Sequence, residues 1–309
     1  MDTSTHASNF VNVDGIRMHY LDWGGDGDVL LFLAGMGCSV HIFDEFAPRF
    51  TDKFRVLAMD RRGHGDSDYP ESGYDQDSLT EDLRQFLDAL KIDKAILVGH
   101  SLAYIELSRF AILYPEHVQK LIFLDAAYDN SSPECKAVFE KNPLPKIMPG
   151  WPEDFSGTIE DYIAEIRMRF PALAAIWCDT MDEQTRHTVE ITPDGRVVDK
   201  MSEAEFNALT HTINNYAPEY SKIQSPILGF FALQDGSTFL SPDYMTEEQK
   251  TLVMEYFRTT RLPYTRHYIE QFRQEIPHAN VVEIPQGHHY CFIKHEELVY
   301  EEMRKFLLV

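Results

Sequence analysis

Residues 95–103 read AILVGHSLA, and they indicate the architecture of the chain more clearly than any other segment. The first four are apolar on both faces, which is typical of a strand buried in a parallel sheet. A helix-forming run through residue 114 follows, so the chain must turn sharply at Ser101. A tight strand-to-helix turn exposes the serine Oγ above the sheet, beside the N-terminus of the helix. We therefore predict Ser101 as a candidate nucleophile.

Similar apolar runs recur along the chain and predict further strands of the same sheet. They alternate with longer amphipathic segments, which is typical of parallel strands joined by helical crossovers. Residues 78–90 (SLTEDLRQFLDAL) are one such helix, with Ser78 as the expected N-cap. The sequence thus predicts an α/β fold with a mostly parallel central sheet flanked by helices. The other predicted strands are 29–34 (VLLFLA), 54–59 (FRVLAM), 121–124 (LIFL), 227–232 (ILGFFA) and 280–284 (NVVEI).

An inserted segment interrupts this alternation. Between residues 128 and 222 the chain becomes mainly helical and rich in proline, with a Pro-Asp-Gly turn that predicts a small hairpin over 189–198. We interpret 128–222 as a cap subdomain, and 1–127 together with 223–309 as the core domain, which ends in a helix over 296–307. Large apolar side chains of the cap are expected to form its own core or to line a pocket: Trp151, Phe155, Tyr162, Met168, Phe170, Ile176 and Trp177.

The composition limits the partners of the protein. Fifty acidic and 28 basic residues give a net charge of −22 over 309 residues, which would repel phosphate backbones and anionic lipid surfaces. We therefore expect no nucleic-acid partner. The sequence has no run of about 18 apolar residues, which predicts no membrane span. The first residues lack a basic start followed by an apolar run, so we expect a cytoplasmic protein, with export after removal of a signal peptide as the open alternative.

Cysteine usage indicates neither disulfides nor a metal site. The four cysteines stand far apart, without a Cys-x-x-Cys pair or a nearby histidine at zinc-finger spacing. We expect Cys38, Cys135, Cys178 and Cys291 to be small buried side chains in a reducing compartment. The sequence therefore predicts no metal and no other cofactor.

The turn around Ser101 resembles the nucleophile elbow of the α/β-hydrolase family. The family pattern is Gly-x-Ser-x-Gly, and residues 99–103 read GHSLA, with alanine in place of the second glycine. Small residues at both outer positions suit a sharp turn that is crowded against neighbouring strands. Tyr104 stands where many members have a further glycine. Its phenol can narrow the pocket or offer a hydroxyl to substrate, or it can pack against a neighbouring helix or the cap, and both interpretations stay open.

Two further motifs extend the resemblance towards the N-terminus. Residues 33–37 (LAGMG) are similar to the family's oxyanion loop, with Ala34 where the family has histidine. This match implies that the backbone N–H groups of Met36 and Leu102 form the oxyanion hole. Residues 60–67 (DRRGHGDS) look like a tight turn of the family, for which we expect a structural role.

A serine hydroxyl is a weak nucleophile, so it needs a base and an acid that orients the base. The resemblance implies Asp235 as the acid and His288 as the base, each after a later predicted strand, which gives the family's order of Ser, Asp and His. Two alternatives stay open: His289 is adjacent to the preferred base, and Asp125 follows an earlier strand, where some branches of the family place the acid. The segment between Asp235 and His288 is longer than in compact members and predicts added helices.

The serine at the elbow directs the functional prediction. Family members that use carboxylate attack, such as epoxide hydrolases and haloalkane dehalogenases, carry aspartate at this position, so Ser101 indicates acyl chemistry. The resemblance implies a carboxylic ester hydrolase that acts on a small-molecule ester through an acyl-enzyme intermediate. Cleavage of a carbon–carbon bond, amide hydrolysis and perhydrolysis use the same triad and stay open. A binding or receptor protein that retains the fold is an alternative of another class, and the oligomeric state is open.

Overall fold

A central sheet organises the computed structural model, which describes residues 6–150, 155 and 157–309. The strands are β1 Ala7–Val13, β2 Ile16–Gly24, β3 Val29–Leu33, β4 Arg55–Met59, β5 Ala95–His100, β6 Val118–Leu124, β7 Val189–Ile191, β8 Val197–Asp199, β9 Ile227–Leu233 and β10 Asn280–Pro285. Eight of them form one sheet in the order β1-β2-β4-β3-β5-β6-β9-β10. The pairings β1–β2 and β2–β4 are antiparallel, and all the others in this sheet are parallel.

The strands predicted from the sequence are confirmed as β3, β4, β5, β6, β9 and β10. Most of their residues are buried, because helices cover both faces of the parallel part of the sheet. The predicted hairpin is confirmed as the antiparallel pair β7 and β8. β1, which forms one edge of the sheet, and its neighbour β2 were not predicted. Several side chains of β1 are exposed, so it lacks the continuous apolar run that marks the inner strands.

Helices pack on both faces of the sheet. They are α1 Gln76–Ala89, α2 Tyr104–Leu113, α3 Pro133–Glu140, α4 Leu144–Ile147, α5 Ile159–Arg169, α6 Pro171–Ala174, α7 Asp179–Thr188, α8 Glu203–Asn215, α9 Glu247–Tyr256, α10 Leu262–Glu275, α11 Cys291–Lys294 and α12 Glu296–Leu307. A π-helical turn, Phe257–Arg261, joins α9 to α10. Short 3-10 turns occur at Val40–Phe43, Ala47–Phe50, Ser101–Ala103, Pro115–His117, Tyr220–Lys222 and Ser237–Phe239.

Strand β5 shows how the sheet divides the core into two layers. Ile96 and Val98 point to one face, where they belong to the same apolar cluster as Val299 of α12. Leu97 points to the other face and joins the cluster that contains Leu83 of α1. Successive side chains of a strand alternate between faces, so a strand buried on both sides must be apolar at every position. This requirement explains the uninterrupted run before Ser101.

Helix α1 begins earlier than the sequence pattern predicts. Asp75 is its N-cap, and the Asp75 side chain accepts hydrogen bonds from the backbone N–H groups of Asp77 and Ser78. The prediction of Ser78 as the N-cap is therefore wrong. The Ser78 hydroxyl instead donates to the Asp75 carboxylate, and an ionised carboxylate is a strong acceptor at a helix N-terminus. The predicted final helix, in contrast, is confirmed as α12.

The segment between β6 and β9 contains α3 to α8 and the hairpin, in keeping with the expected mainly helical insertion. Its limits at residues 128 and 222 stay a prediction, and Trp151 lies outside the described residues. Helices α9 and α10 are the added helices expected between β9 and β10. All four cysteines are free: Cys38, Cys135 and Cys291 are buried, and Cys178 is half-buried. Among the described helices, none is both long and apolar enough to cross a membrane.

Candidate functional site

Ser101 lies at a sharp turn between β5 and α2. Its φ of +53° is in the left-handed region, where a non-glycine residue is strained unless its surroundings fix it. A Cβ atom on Gly99 would lie 2.8 Å from Leu107 Cδ2 and 2.9 Å from Ala103 Cβ. This crowding explains why both outer positions of the turn are small. The strand-to-helix turn predicted at Ser101 is confirmed.

Ser101 opens into a cavity of about 600 Å³ between the core and the inserted segment. Most of the lining is apolar or aromatic. The inserted segment contributes Phe139, Leu144, Met148, Phe170, Leu173 and Ile213, and the segment between β9 and β10 contributes Phe239, Tyr244 and Arg261. Of the cap side chains singled out in the sequence, Phe170 lines this cavity. Phe155 and Tyr162 instead pack with the hairpin, and Ile176 and Trp177 pack against a cluster of the main core.

The loop after β3 approaches the serine closely. A Cβ atom on Gly35 would lie 3.0 Å from Ser101 Cβ and 2.9 Å from His100 Nδ1, so the backbone can come this near only with glycine at that position. The next residue, Met36, lines the cavity together with Ser101 and Leu102. The residues of the two predicted oxyanion donors therefore both line the cavity of Ser101.

A buried ion pair lies behind this loop and was not predicted from the sequence. Arg61 donates from Nε to Glu106 on α2 at 2.5 Å, and both side chains are almost fully buried. A second nitrogen of Arg61 lies 3.5 Å from the carbonyl oxygen of Gly35. Arg61 thus connects the loop to the helix that begins after Ser101. We interpret Arg61 and Glu106 as positioning residues that support the loop, where the family's histidine is replaced by Ala34.

Asp125 occupies the carboxyl end of β6, next to the turn that carries Ser101. Its Oδ1 accepts hydrogen bonds from the backbone N–H of Ala232 at 2.9 Å and from the hydroxyl of Tyr128 at 3.0 Å. Burial raises the pKa of Tyr128 well above its ordinary value, so the phenol stays protonated and donates. The other oxygen, Oδ2, lies 2.7 Å from Nδ1 of His289.

His289 is the histidine that the structure pairs with a carboxylate at this site. A carboxylate can only accept a hydrogen bond, so Nδ1 of His289 carries a proton, and Nε2 is the ring nitrogen that Asp125 does not contact. The backbone carbonyl of His289 accepts a hydrogen bond from Nε2 of His100 at 3.1 Å, which fixes the loop against β5. Ser101, Asp125 and His289 all line the same cavity.

His288 has a different environment. Its Nε2 donates to the carbonyl oxygen of Ala172 in α6 at 3.0 Å, and its Nδ1 accepts from the backbone N–H of Tyr290 at 3.1 Å. Both ring nitrogens are therefore occupied, and His288 is 3% exposed. Burial is the main cause that lowers the pKa of His288 to about 4, so the ring is neutral near pH 7. His288 connects the core to the inserted segment.

Among the described residues, Asp235 forms no hydrogen bond with His288 or His289. Its carboxylate accepts hydrogen bonds from the backbone N–H and hydroxyl of Ser237 and from the amide of Gln286. Those bonds to Ser237 are the main cause that lowers its pKa. Asp235 lines a separate surface depression together with Arg258. The predicted Asp235–His288 pair thus requires correction, because the structure pairs Asp125 with His289 instead.

Tyr104 also belongs to the cavity lining, although its hydroxyl is engaged elsewhere. It donates to the backbone carbonyl of Ile213 in α8 at 3.1 Å, and the residue is 1% exposed. The sequence left open whether Tyr104 narrows the pocket or packs against a neighbouring helix or the cap. The structure shows a part of each, since the ring lines the cavity and the hydroxyl connects α2 to the inserted segment. A direct contact of Tyr104 with substrate stays a prediction.

A group of histidines meets carboxylates where α7 packs on the core. Three overlapping sets have ligand-capable atoms within 4.8 Å of one another: His6, His41 and Asp44; His19, His41 and Asp66; and His41, Glu183 and His187. The rings of His41 and His187 stack, with centroids 3.8 Å apart and planes 18° apart, so their in-plane lone pairs do not converge on one point. His187 instead bonds to Asp66 at 2.5 Å. Burial is the largest single influence and lowers the pKa of His187, but the hydrogen bonds and charges of Asp66 and Glu183 together raise this pKa above its ordinary value. The geometry fits an ion pair between α7 and the core better than a metal site.

Comparisons with known proteins agree with this fold. The family model described as the alpha/beta hydrolase fold matches residues 28–296. Epoxide hydrolase 4 of Mus musculus is 26% identical over 297 residues, which cover 88% of this chain and 77% of that protein. The 2-(acetamidomethylene)succinate hydrolase of Mesorhizobium japonicum is 36% identical over 101 residues, or 33% of this chain and 36% of that protein.

A solved structure extends the similarity over the whole fold. The crystal structure of E-2-(acetamidomethylene)succinate hydrolase superposes with a TM-score of 0.75 and 20% sequence identity, covering 98% of this chain and 100% of that one. The mostly parallel sheet, the strand-to-helix turn at Ser101 and the match to the family model point the same way. The chain therefore belongs to the α/β-hydrolase fold family, and the similar proteins named above are hydrolases.

Proposed function

We propose that this protein is a serine hydrolase that cleaves carboxylic esters, with Ser101 as nucleophile, His289 as base and Asp125 as the acid that orients the base. The observation that carries the proposal is the 2.7 Å contact between His289 Nδ1 and Asp125 Oδ2, in a cavity that Ser101 also lines. The contact fixes the tautomer in which Nε2 is free to accept a proton. Ser101 at the elbow favours acyl chemistry over the carboxylate attack of epoxide hydrolases.

The proposed reaction has two stages. Ser101 Oγ attacks the ester carbonyl carbon while its proton passes to His289 Nε2, and the N–H groups of Met36 and Leu102 stabilise the oxyanion. The carbon–oxygen bond to the alcohol breaks, and the alcohol leaves with the proton from His289. A water molecule then attacks the acyl-enzyme and gives a proton to His289, which returns it to Ser101 as the carboxylic acid leaves.

The cavity supports a small organic substrate with an apolar part. Its size of about 600 Å³ lies in the range of small-molecule sites, and the aromatic and aliphatic side chains of the inserted segment form one wall. We propose that residues 128–222 act as a cap that excludes water from the acyl-enzyme.

Amide hydrolysis is a second candidate, because one curated relative and one similar solved structure are named as hydrolases of an acetamido compound.

Covalent labelling and turnover test the proposal together. We expect a fluorophosphonate probe to label Ser101, and p-nitrophenyl esters of short and medium acyl chains to be hydrolysed. Ser101→Ala should remove both labelling and turnover, because it removes the nucleophile. Ser221→Ala, at an exposed serine, is the matched control and should leave both unchanged. A folded protein that is not labelled, or a Ser101→Ala variant that turns over esters at the parent rate, would contradict the proposal.

A further inference from the structure

Arg261 brings a positive charge to the cavity that contains Ser101. It is the last residue of the π-helical turn between α9 and α10, in the segment added between β9 and β10. A single π-helical turn within a helix is uncommon and occurs frequently at functional sites. Arg261 is half-buried, so its guanidinium is partly removed from water.

The guanidinium of Arg261 has aromatic neighbours but no ion-pair partner within the described ranges. It lies 4.9 Å from the ring centroid of Phe139 and 5.9 Å from that of Tyr128. No carboxylate oxygen of the described residues lies within 4.0 Å of it, whereas Arg61, which is buried, and Arg62, which is half-buried, each contact a carboxylate. An arginine left unpaired in a chain with 50 acidic residues has five donors available for a ligand.

Asp125, which also lines the cavity, forms no ion pair with Arg261. Asp125 already accepts hydrogen bonds from Ala232, Tyr128 and His289. The amide of Asn142 lines the same cavity, and because its oxygen accepts from the Leu144 N–H, its N–H₂ group is left as a further donor. Arg261 and Asn142 therefore both bring hydrogen-bond donors to the cavity wall, although the protein as a whole is strongly negative.

We propose that Arg261 binds a carboxylate group of the substrate, so that the preferred substrates are esters carrying a free carboxylate away from the scissile bond. The inference rests on the proposed function, since it assigns the substrate class of the same site. A planar guanidinium fits a carboxylate through two parallel hydrogen bonds, and such a pair is stronger where water is largely excluded. The rings of Phe139 and Tyr128 lie beside the guanidinium and line the same cavity.

Binding to a variant that cannot react tests the anion site separately from catalysis. Ser101→Ala is titrated by calorimetry with monomethyl adipate, which carries one carboxylate, and with dimethyl adipate, which is neutral. We expect the anion to bind at least about tenfold more tightly, and Arg261→Met in this background to remove that preference, as the loss of a hydrogen bond to a charged group implies. Arg258→Met, at the exposed arginine of the same turn, is the matched control and should keep the preference.

Turnover provides the second measurement. In the Ser101 enzyme, kcat/KM for 4-nitrophenyl hydrogen adipate should fall by about 10-fold to 100-fold in Arg261→Met, while the value for the 4-nitrophenyl methyl diester should change less than about threefold. Arg261→Lys should recover part of the loss. Equal effects on both esters, or equal binding of both adipates to Ser101→Ala, would overturn the anion site. Carboxylate binding through Arg261 without any Ser101-dependent turnover would instead contradict the proposed function and leave the anion site intact.

Discussion

Nδ1 of His289 lies 2.7 Å from Oδ2 of Asp125, whereas Nε2 of its neighbour His288 lies 3.0 Å from the carbonyl oxygen of Ala172. Two adjacent histidines thus differ in what their rings contact. One is oriented by a carboxylate and keeps a free nitrogen in the cavity. The other has both nitrogens occupied by the backbone and connects the core to the inserted segment.

His289→Gln should lower kcat on a p-nitrophenyl ester by about 10²-fold to 10⁴-fold, because it removes the group that accepts the serine proton. Labelling of Ser101 by a fluorophosphonate should slow in parallel. Steady-state kinetics and the labelling rate measure the effect, and a thermal melt checks that the variant is folded. Activity near that of the parent in a folded His289→Gln protein would exclude His289 as the base.

His288 should affect the dependence of stability on pH. Its folded pKa of about 4 is lower than the ordinary 6.5, so the unfolded chain binds a proton more readily than the folded protein. The contribution of His288 to the free energy of unfolding is therefore complete above pH 6.5 and is lost as the pH falls towards 4. The difference between the folded and unfolded pKa values of His288 corresponds to about 3 kcal/mol of the free energy of unfolding.

Urea unfolding between pH 7 and pH 4 measures this loss. His288→Gln should start from a lower stability at pH 7 and show a shallower decline than the parent, because it has no ring to protonate. The buried rings of His64 and His100, whose pKa values burial also lowers, continue to contribute in both proteins. Parallel pH profiles for parent and variant would show that His288 is not a buried neutral ring.

The ion pair between Arg61 and Glu106 should be sensitive to the loss of one partner. Arg61→Met leaves a carboxylate buried without a counter-charge, which costs about 3–5 kcal/mol of the free energy of unfolding. The double variant Arg61→Met/Glu106→Leu should recover most of this stability. Its kcat should still be lower than that of the parent, because Gly35 and the adjacent oxyanion loop lose their support. A double variant with full activity would show that the pair has no positioning role.

Much of the fold could be predicted from the sequence, because buried parallel strands require continuous apolar runs. The turn at Ser101 was also predicted correctly. It follows a strand of this kind, and the crowding around it requires small residues at Gly99 and Ala103. The edge strand β1 and its neighbour β2 gave no such pattern. Several side chains of β1 are exposed, and buried positions of β2 alternate with half-buried ones, so neither strand has a continuous apolar run.

The acid and base could not be chosen from the sequence, because the choice depends on side-chain direction in two loops. A shift of one residue in the alignment of this loop with the family motif exchanges His288 for His289 as the base. The extra length between β9 and β10 was the one signal in the sequence against Asp235 as the acid. Asp235 begins that added segment, and its carboxylate accepts hydrogen bonds from the backbone N–H and hydroxyl of Ser237. Asp125 was identifiable as a strand-end carboxylate. Its contacts with Ala232 and His289 depend on the three-dimensional arrangement.

The most direct test of the account compares two isosteric substitutions, Asp125→Asn and Asp235→Asn, by kcat on the same ester. An asparagine at 125 can still accept hydrogen bonds from Ala232 and Tyr128, but its amide would favour the wrong tautomer of His289. We predict that Asp125→Asn lowers kcat by about 10³-fold to 10⁴-fold, while Asp235→Asn, which lines a separate surface depression, stays within about twofold of the parent. A large loss in Asp235→Asn, with Asp125→Asn folded and active, would contradict the assignment of Asp125 and His289.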